Sequence, residues 1–327
     1  MIIFSDLHLR EETAETVFGE VLPGIYEAAK QHLDKEIVCL GDVFHVRFKV
    51  DGRLQNALKD EFKRWVDAGL SLRILPGNHD QYNVDGRNVL EVFDEINHVE
   101  VYSSPREDSD GFWIPYRKNI DEVKQAVQYA NTNWQGKKVL FMHHGVRGAW
   151  MNDGYQNKDG IELETFGGWH TILCGHYHKR QTVGLNLHYL GSPYQTKADE
   201  ARQPKGYSLW DGEKLTFVET HWGSKYHIIE IGEDQTLDLS QVQPRDEVRV
   251  TVKGKGSELR VASLAKQLRD LGIERHTVTP EIEQTEARLD VRPQASVDEY
   301  AKAYVDAMDT SLNREMLMNI YTELRAP

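Results

Sequence analysis

Five short apolar runs in this chain end in the same kind of polar signature. "IIFS" (2–5) runs into "DLH" with Asp6 and His8, and "EIVCL" (36–40) runs into "GDVFH" with Asp42 and His45. "LRILP" (72–76) runs into "GNHD" with Asn78, His79 and Asp80. "KVLFM" (138–142) is followed by His143 and His144, and "TILCG" (171–175) by "HYH" with His176 and His178. Such continuous apolar runs read as strands covered on both faces. Amphipathic stretches lie between them, most clearly "RLQNALKDEFKRWVDAG" (53–69), where Leu54, Leu58, Phe62 and Trp65 recur at helical spacing and Gly69 supplies a stop. Strands alternating with helices predict an α/β fold of helix-covered sheets. In such folds ligands collect at the carboxyl ends of strands, so the five loops are expected to meet in one place.

The side chains at those ends carry one kind of chemistry. Imidazole combined with carboxylate and amide oxygen suits Mn, Fe or Zn. The two cysteines, Cys39 and Cys174, sit inside apolar runs and read as reduced core thiols, which excludes a disulfide framework and a thiolate zinc site. The donors are too many for one ordinary ion. Two ions about 3.5–4 Å apart, with a carboxylate between them, would use them all and would clamp the attacking and leaving oxygens of a phosphoryl displacement. His176 and His178 stand at i and i+2; in an extended segment they project to one side and can serve two neighbouring metals.

The remaining features bound the setting. A net charge of −13 over 327 residues leaves no basic footprint of the kind phosphate contacts require, so metal ions or a partner must supply positive charge if the substrate is nucleic acid. No apolar run approaches the ~20 residues of a membrane span, and Met1 leads directly into a strand; a soluble, untargeted, cytoplasmic protein is expected. After about Gly223 the pattern changes to the alternating strands "KYHIIEI" and "DEVRVTVKG", the helix "SELRVASLAKQLRDLG", the strands "RHTVT" and "ARLDV", and two closing helices, "SVDEYAKAYVDAM" and "NREMLMNIYTEL". Residues 1–223 are therefore read as a catalytic domain and 224–327 as a smaller α+β appendage. In "VRVTVKGK" alternation places Arg249, Thr251, Lys253 and Lys255 on one face, the most basic face of the chain. The glycine-rich stretch 145–160 carries Arg147, Trp150 and Tyr155, residue types suited to phosphate contact and base stacking.

Taken in order, "DLH", "GDVFH", "GNHD", "MHHG" and "GHYH" resemble the calcineurin-like metallophosphoesterases. The resemblance implies an α/β fold of two packed mixed sheets flanked by helices. It implies one metal held by Asp6, His8, Asp42 and His178, and a second held by Asp42, Asn78, His143 and His176. It makes His79 the group that protonates the leaving oxygen, with Asp80 orienting it, and it favours His143 over His144. The form "GDVFH", together with "FWIPY" (112–116), "MHHGVRG" (142–148) and "HYLGSPYQTKADEARQPKGYSLWD" (188–211), is similar to the nuclease subunits of the SbcD type and of the eukaryotic double-strand-break repair nucleases. Overall length and the chain's ending are most like their compact phage counterparts. That narrower resemblance implies His45 facing the substrate, and a preference for Mn among the divalent ions, with Mg, Fe or Zn as alternatives. It also implies 3′→5′ exonuclease and structure-dependent endonuclease action on DNA in repair and recombination. Homodimerisation through helices such as 53–69, a coiled-coil SMC-like ATPase partner and, for a phage protein, the host cytoplasm are implied by it too. A phosphatase or small-molecule phosphodiesterase on the same site is the alternative, against which "GDVFH" and the appendage speak. His170, His188, His221 and His227 fit no motif.

Overall fold

The computed structural model describes residues 1–32, 35–46, 49–82, 87–136, 138–254, 257–281 and 297–307. Along the chain run β1 (Ile2–Phe4), β2 (Glu36–Cys39), β3 (Ser71–Ile74), β4 (Val99–Val101), β5 (Arg106–Glu107), β6 (Phe112–Ile114), β7 (Val139–His143) and β8 (Thr171–Gly175). After these come β9 (Gln181–Val183), β10 (Leu187–Tyr189), β11 (Lys205–Trp210), β12 (Leu215–Thr220), β13 (Tyr226–Ile231), β14 (Glu247–Val252) and β15 (His276–Pro280).

Two six-stranded sheets result, ordered β12-β11-β1-β2-β3-β4 and β5-β6-β7-β8-β10-β9. β1 to β4 are parallel, with β11 and β12 antiparallel at one side. β6, β7, β8 and β10 are parallel, between the antiparallel edges β5 and β9. Within β1 the side chains alternate: Ile2 and Phe4 pack with Ile25, Leu58, Phe62 and Trp65 of the covering helices, while Ile3 packs between the sheets with Val38, Trp113, Phe141 and Leu173. The outer face of the second sheet buries Leu140, Met142 and Ile172 against Val123 and Val127 of the helix Ile120–Asn133. The order is thus helices, sheet, sheet, helices, which is why the strands read as apolar on both faces. Each fully buried aliphatic or Phe side chain contributes about 1.5–3 kcal/mol.

The helix Gly52–Asp67 answers to its periodicity: Leu58, Phe62 and Trp65 are buried, and Asp51 caps it by accepting a hydrogen bond from Arg53 N at 2.8 Å. Gly69 comes next at φ +83°, the left-handed conformation that ends helices.

β13, β14 and β15 form a separate, wholly parallel three-stranded sheet. The helix Ser257–Asp270 covers one face, packing Leu264 and Leu268 on Val248, Val250 and Val252. Among the described residues this helix covers one face, in keeping with the alternating pattern in this part of the sequence. The sheet is tied to the first body by Tyr226 N donating to Gln195 Oε1 at 2.7 Å and by the Arg245–Glu20 ion pair at 2.5 Å. The helix expected around 296–308 is found at Val297–Ala307. The strand expected at 287–291 and the helix expected at 313–324 lie outside the described residues.

Candidate metal centre

β1, β2 and β3 end at the same side of the first sheet, and β7 and β8 at the same side of the second. The loops that leave them are drawn together by backbone bonds: Asp6 N donates to Gly41 O (2.9 Å), His8 N to Asp42 O (2.9 Å) and Leu9 N to Val43 O (2.8 Å). Bonds between the sheets close the site. His143 Nδ1 donates to Leu40 O at 2.6 Å, and His176 N donates to the Asp6 carboxylate at 3.1 and 3.2 Å.

This assembly strains the backbone. Among the described residues six non-glycine residues have positive φ, and four of them, Asp6 (56°), His8 (47°), Asp42 (54°) and His176 (95°), are here. Each such conformation costs of order 1–3 kcal/mol and persists only where the surroundings over-determine it. Gly41 and Gly77 are required by closeness: a Cβ on the first would meet His143 Nδ1, and on the second Asp42 Oδ1.

Among the described residues three groups of donors have their candidate ligand atoms within 4.8 Å of one another: Asp6, His8 and His178 form the first, Asp42, His143 and His176 the second, and His8, His45 and His79 a third that overlaps the first at His8. Asn78 joins the second, its Oδ1 standing 2.7 Å from His176 Nδ1 and 3.2 Å from His143 Nε2. Asp42 stands between the groups, with Oδ2 at 3.6 Å from His8 Nε2 and Oδ1 at 3.4 Å from His143 Nε2. The Nε2 atoms of His8 and His178 face each other at 2.8 Å.

Burial sets the protonation of these groups. It pushes His176 down to about 3 and His8 well below the usual imidazole range, so both are neutral at pH 7 with a lone pair to give. Burial works the same way on His143, but Asp42 and Asp6 outweigh it and raise His143 to about 9. Burial opposes the charge of Asp42, yet His143 and its neighbours hold that carboxylate well below its ordinary range. Burial together with Asp42 raises Asp80 to about 7.

His79 and His45 stand beside the first group. His79 N donates to Asp42 Oδ1 at 2.8 Å, and its ring Nδ1 donates to His45 O at 2.5 Å, the ring centroid lying 4.9 Å from that of His8. The His45 ring stacks on His79 with centroids 5.4 Å apart, and its Nδ1 is 3.1 Å from His8 Nδ1.

Three expectations need correction. Asp80 does not orient the His79 ring. Its oxygens accept from the backbone N–H groups of Gly77 (2.9 Å), Phe44 (3.0 Å) and Val43 (3.3 Å), so it pins the β2 and β3 loops together, while the His79 ring rests on the His45 carbonyl. The second concerns the pair His176 and His178. They do enter different groups, but through the left-handed turn at His176 rather than an extended segment. Third, the face carrying Arg249 and Lys253 is charge-balanced: Arg249 pairs with Glu247 at 2.7 Å, and Lys253 with Glu230 at 2.7 Å and Glu281 at 3.8 Å. Arg147 is likewise paired, with Glu162 at 2.7 Å. Lys255 lies outside the described residues. His144 is turned away from both groups, stacked on Tyr116 with its Nε2 against the Arg117 backbone.

One residue escaped the sequence reading. Glu200, 1% exposed, accepts from His178 Nδ1 at 2.6 Å, Lys205 Nζ at 2.8 Å and Thr196 Oγ1 at 2.8 Å. Its segment, "KADEARQPKG", has the composition of a surface loop. Only the path of the chain after β10 brings it behind His178.

Residues 1–250 match the calcineurin-like phosphoesterase family. Exonuclease subunit 1 of Enterobacteria phage T4 is 24% identical over 330 residues, which cover 95% of this chain and 93% of that protein. The uncharacterized metallophosphoesterase YhaO of Bacillus subtilis strain 168 is 24% identical over 208 residues, 60% of this chain and 49% of that protein. The match extends through both large sheets and into β14, and the donors stand at the strand ends that the resemblance implied: the chain belongs to the calcineurin-like phosphoesterase family.

Proposed function

We propose that this protein is a two-metal nuclease that hydrolyses phosphodiester bonds in DNA. The observation that carries the metal site is Asp42, whose two carboxylate oxygens face histidines of different groups, a position that suits a ligand shared by two cations. The donor set fits such ions. Oxygen and imidazole donors converge without thiolate, and the Nε2 atoms of His8 and His178, 2.8 Å apart, stand where both can turn a lone pair to one cation. Asp6, His8, Asp42 and His178 would hold one metal, and Asp42, Asn78, His143 and His176 the other. When bound, the ions supply Lewis-acid charge to the phosphoryl group and make a water nucleophilic near neutral pH.

The chain's own residues do the rest. The Leu40 carbonyl fixes the His143 tautomer, and Glu200 fixes that of His178, leaving Nε2 of each for a ligand. His79 would hand a proton to the departing sugar oxygen; its Nδ1–H donates to the His45 carbonyl, which orients the ring and leaves Nε2 to face the substrate. His45, stacked on His79, faces the substrate.

Likeness to a phage exonuclease subunit along nearly the whole chain supports DNA as substrate. The finer reading is 3′→5′ exonuclease and structure-dependent endonuclease action, Mn as the working ion, and a role in repair and recombination in the host cytoplasm. Residues 224–327 form the DNA-facing appendage, and the helix Gly52–Asp67 contributes to a homodimer. A coiled-coil ATPase subunit is the partner, and a net charge of −13 suits a chain that borrows DNA affinity from it. Among the described residues no helix is long and apolar enough to cross a membrane.

The test is cleavage of end-labelled single- and double-stranded DNA with Mn, Mg or chelator, beside a small aryl phosphodiester, for wild type and His79→Ser. Metal-dependent DNA cleavage that disappears in the variant is expected. Turnover of the small ester with DNA left intact would instead make the protein a small-molecule phosphodiesterase.

A further inference from the structure

A cavity of about 760 Å³ opens beside His45, which forms part of its wall. Apolar side chains line most of it: Leu9 and Phe44 from the loops after β1 and β2, Val46, Val50, and Leu54 from the first turn of the helix Gly52–Asp67. Val46 is 45% exposed, a large apolar side chain partly open to solvent. At the rim stand two cations. Lys49 is exposed and has no ion-pair partner among the described residues. Arg10 has Glu12 3.3 Å from its Nε, yet that buried nitrogen makes no hydrogen bond. Glu11 adds a carboxylate acceptor to the same wall, whereas the Asp51 carboxylate is engaged by Arg53.

Its position restricts what can enter. His45 belongs at once to the cavity wall and to the cluster, its Nδ1 being 3.1 Å from that of His8. Whatever occupies the cavity is therefore joined to whatever is being hydrolysed, or lies directly beside it. A slot with apolar walls, an edge acceptor and flanking cations is complementary to a base still attached to its phosphates: the walls take the faces, the Glu11 carboxylate takes an exocyclic amino group, and Arg10 and Lys49 take phosphate oxygens. The volume is in the range of sites that accept a ligand of nucleotide size.

We propose that this cavity is a base-binding subsite that takes the unstacked base of the nucleotide adjoining the scissile phosphate. The inference rests on the nuclease reading, and it explains a feature the two-metal chemistry leaves unused. Drawing the terminal phosphodiester of a duplex into the metal centre pulls its base out of the stack, and a pocket that receives the base offsets the cost of unstacking. His45 then has a positioning role, as the wall between base and metal centre.

The test compares oligonucleotide duplexes whose terminal nucleotide carries a base with duplexes whose terminal nucleotide is an abasic tetrahydrofuran. KM is measured in Mn, and binding by fluorescence anisotropy in chelator. Wild type is expected to lose at least about fivefold in KM and in affinity when the base is absent, the lower end of what one protein-stacked base is worth. Val50→Trp, which fills the cavity, should bring both ratios close to one, with circular dichroism reporting whether it folds. Equal KM and equal affinity for the two duplexes in wild type overturn the subsite without any variant. Absence of cleavage of either DNA overturns the nuclease reading instead, and the anisotropy ratio then still decides the subsite.

Discussion

Glu200 Oε1 accepts the hydrogen bond of His178 Nδ1 at 2.6 Å from a position closed to solvent, while its Oε2 faces Lys205 Nζ at 2.8 Å. One carboxylate thus orients a candidate ligand and neutralises a buried ammonium. Glu200→Gln keeps the shape and the Thr196 contact but removes the charge that favours the Nδ1–H tautomer. Mn affinity measured by titration calorimetry is expected to fall about 10–100-fold, the usual cost of losing such a partner. Glu200→Ala also strands Lys205, and the protein should lose about 3–5 kcal/mol in denaturant unfolding. Full Mn affinity in Glu200→Gln would make Glu200 a purely structural ion-pair partner.

His143 gives the metal-free protein a characteristic pH dependence. Burial disfavours its charge, but Asp42 and Asp6 prevail and lift it from 6.5 to about 9. A histidine raised on folding contributes stability that is fully present below about 6.5 and is lost as pH rises through about 9. In chelator the melting temperature should therefore fall between pH 7 and 9, and His143→Asn should flatten that limb. Mn affinity should move the opposite way, rising by up to about tenfold per pH unit, because His143 must give up its proton to become a ligand. Calorimetry in buffers of different ionisation enthalpy reads the released proton directly; no proton release at pH 7.5 would contradict the assignment.

Gly77 tests how tightly the centre is built. A Cβ there would overlap Asp42 Oδ1 and the Asp42 backbone nitrogen, neither of which can yield without disturbing the carboxylate between the two donor groups. Gly77→Ala is expected to cost about 1–3 kcal/mol of stability, as overpacking does, and to weaken Mn binding as well. Gly52→Ala is the control, because a Cβ at Gly52 meets nothing within 4 Å. If Gly77→Ala binds Mn like wild type, the turn after β3 is more yielding than its contacts imply.

How much of this was legible in the sequence depends on which forces placed each residue. Asp6, Asp42, Asn78, His143 and His176 come at or just after the ends of apolar runs, and covered parallel strands that end together necessarily gather the residues at their exits. Composition and order therefore carried both the layers and the donors. Glu200 was invisible because its role depends on where β10 and the succeeding loop return, not on its neighbours in sequence. Asp80 was misread for a related reason: proximity to His79 in the chain says nothing about the backbone amides of Val43 and Phe44 that reach it from another loop. The conformation at His176 is equally non-local, since a positive φ at a histidine is disfavoured by its own sterics and is imposed by the bond to Asp6. The hairpin of β11 and β12 is different: Asp211-Gly212 between them is a turn signal that sequence reading could have used.

Arg249 and Lys253 show why charge counted along a strand misleads. Each alternates outward from β14 as expected, yet Glu247 two residues back on the same strand holds Arg249, and Glu230 of β13 and Glu281 just after β15 face Lys253, so a phosphate must first displace a carboxylate. The free energy of that exchange is small, because a surface ion pair is itself worth only about 0–1 kcal/mol and a new contact replaces an old one. If both residues bound DNA phosphates, removing them would flatten the dependence of log affinity on log salt concentration by about 1.8. We expect less than half that change for the Arg249→Ala, Lys253→Ala double variant, measured by anisotropy with a duplex oligonucleotide from 50 to about 200 mM salt. A loss of slope near the full value would mean that the carboxylates release their partners on DNA binding, and it would make the sheet of β13, β14 and β15 a phosphate-binding face.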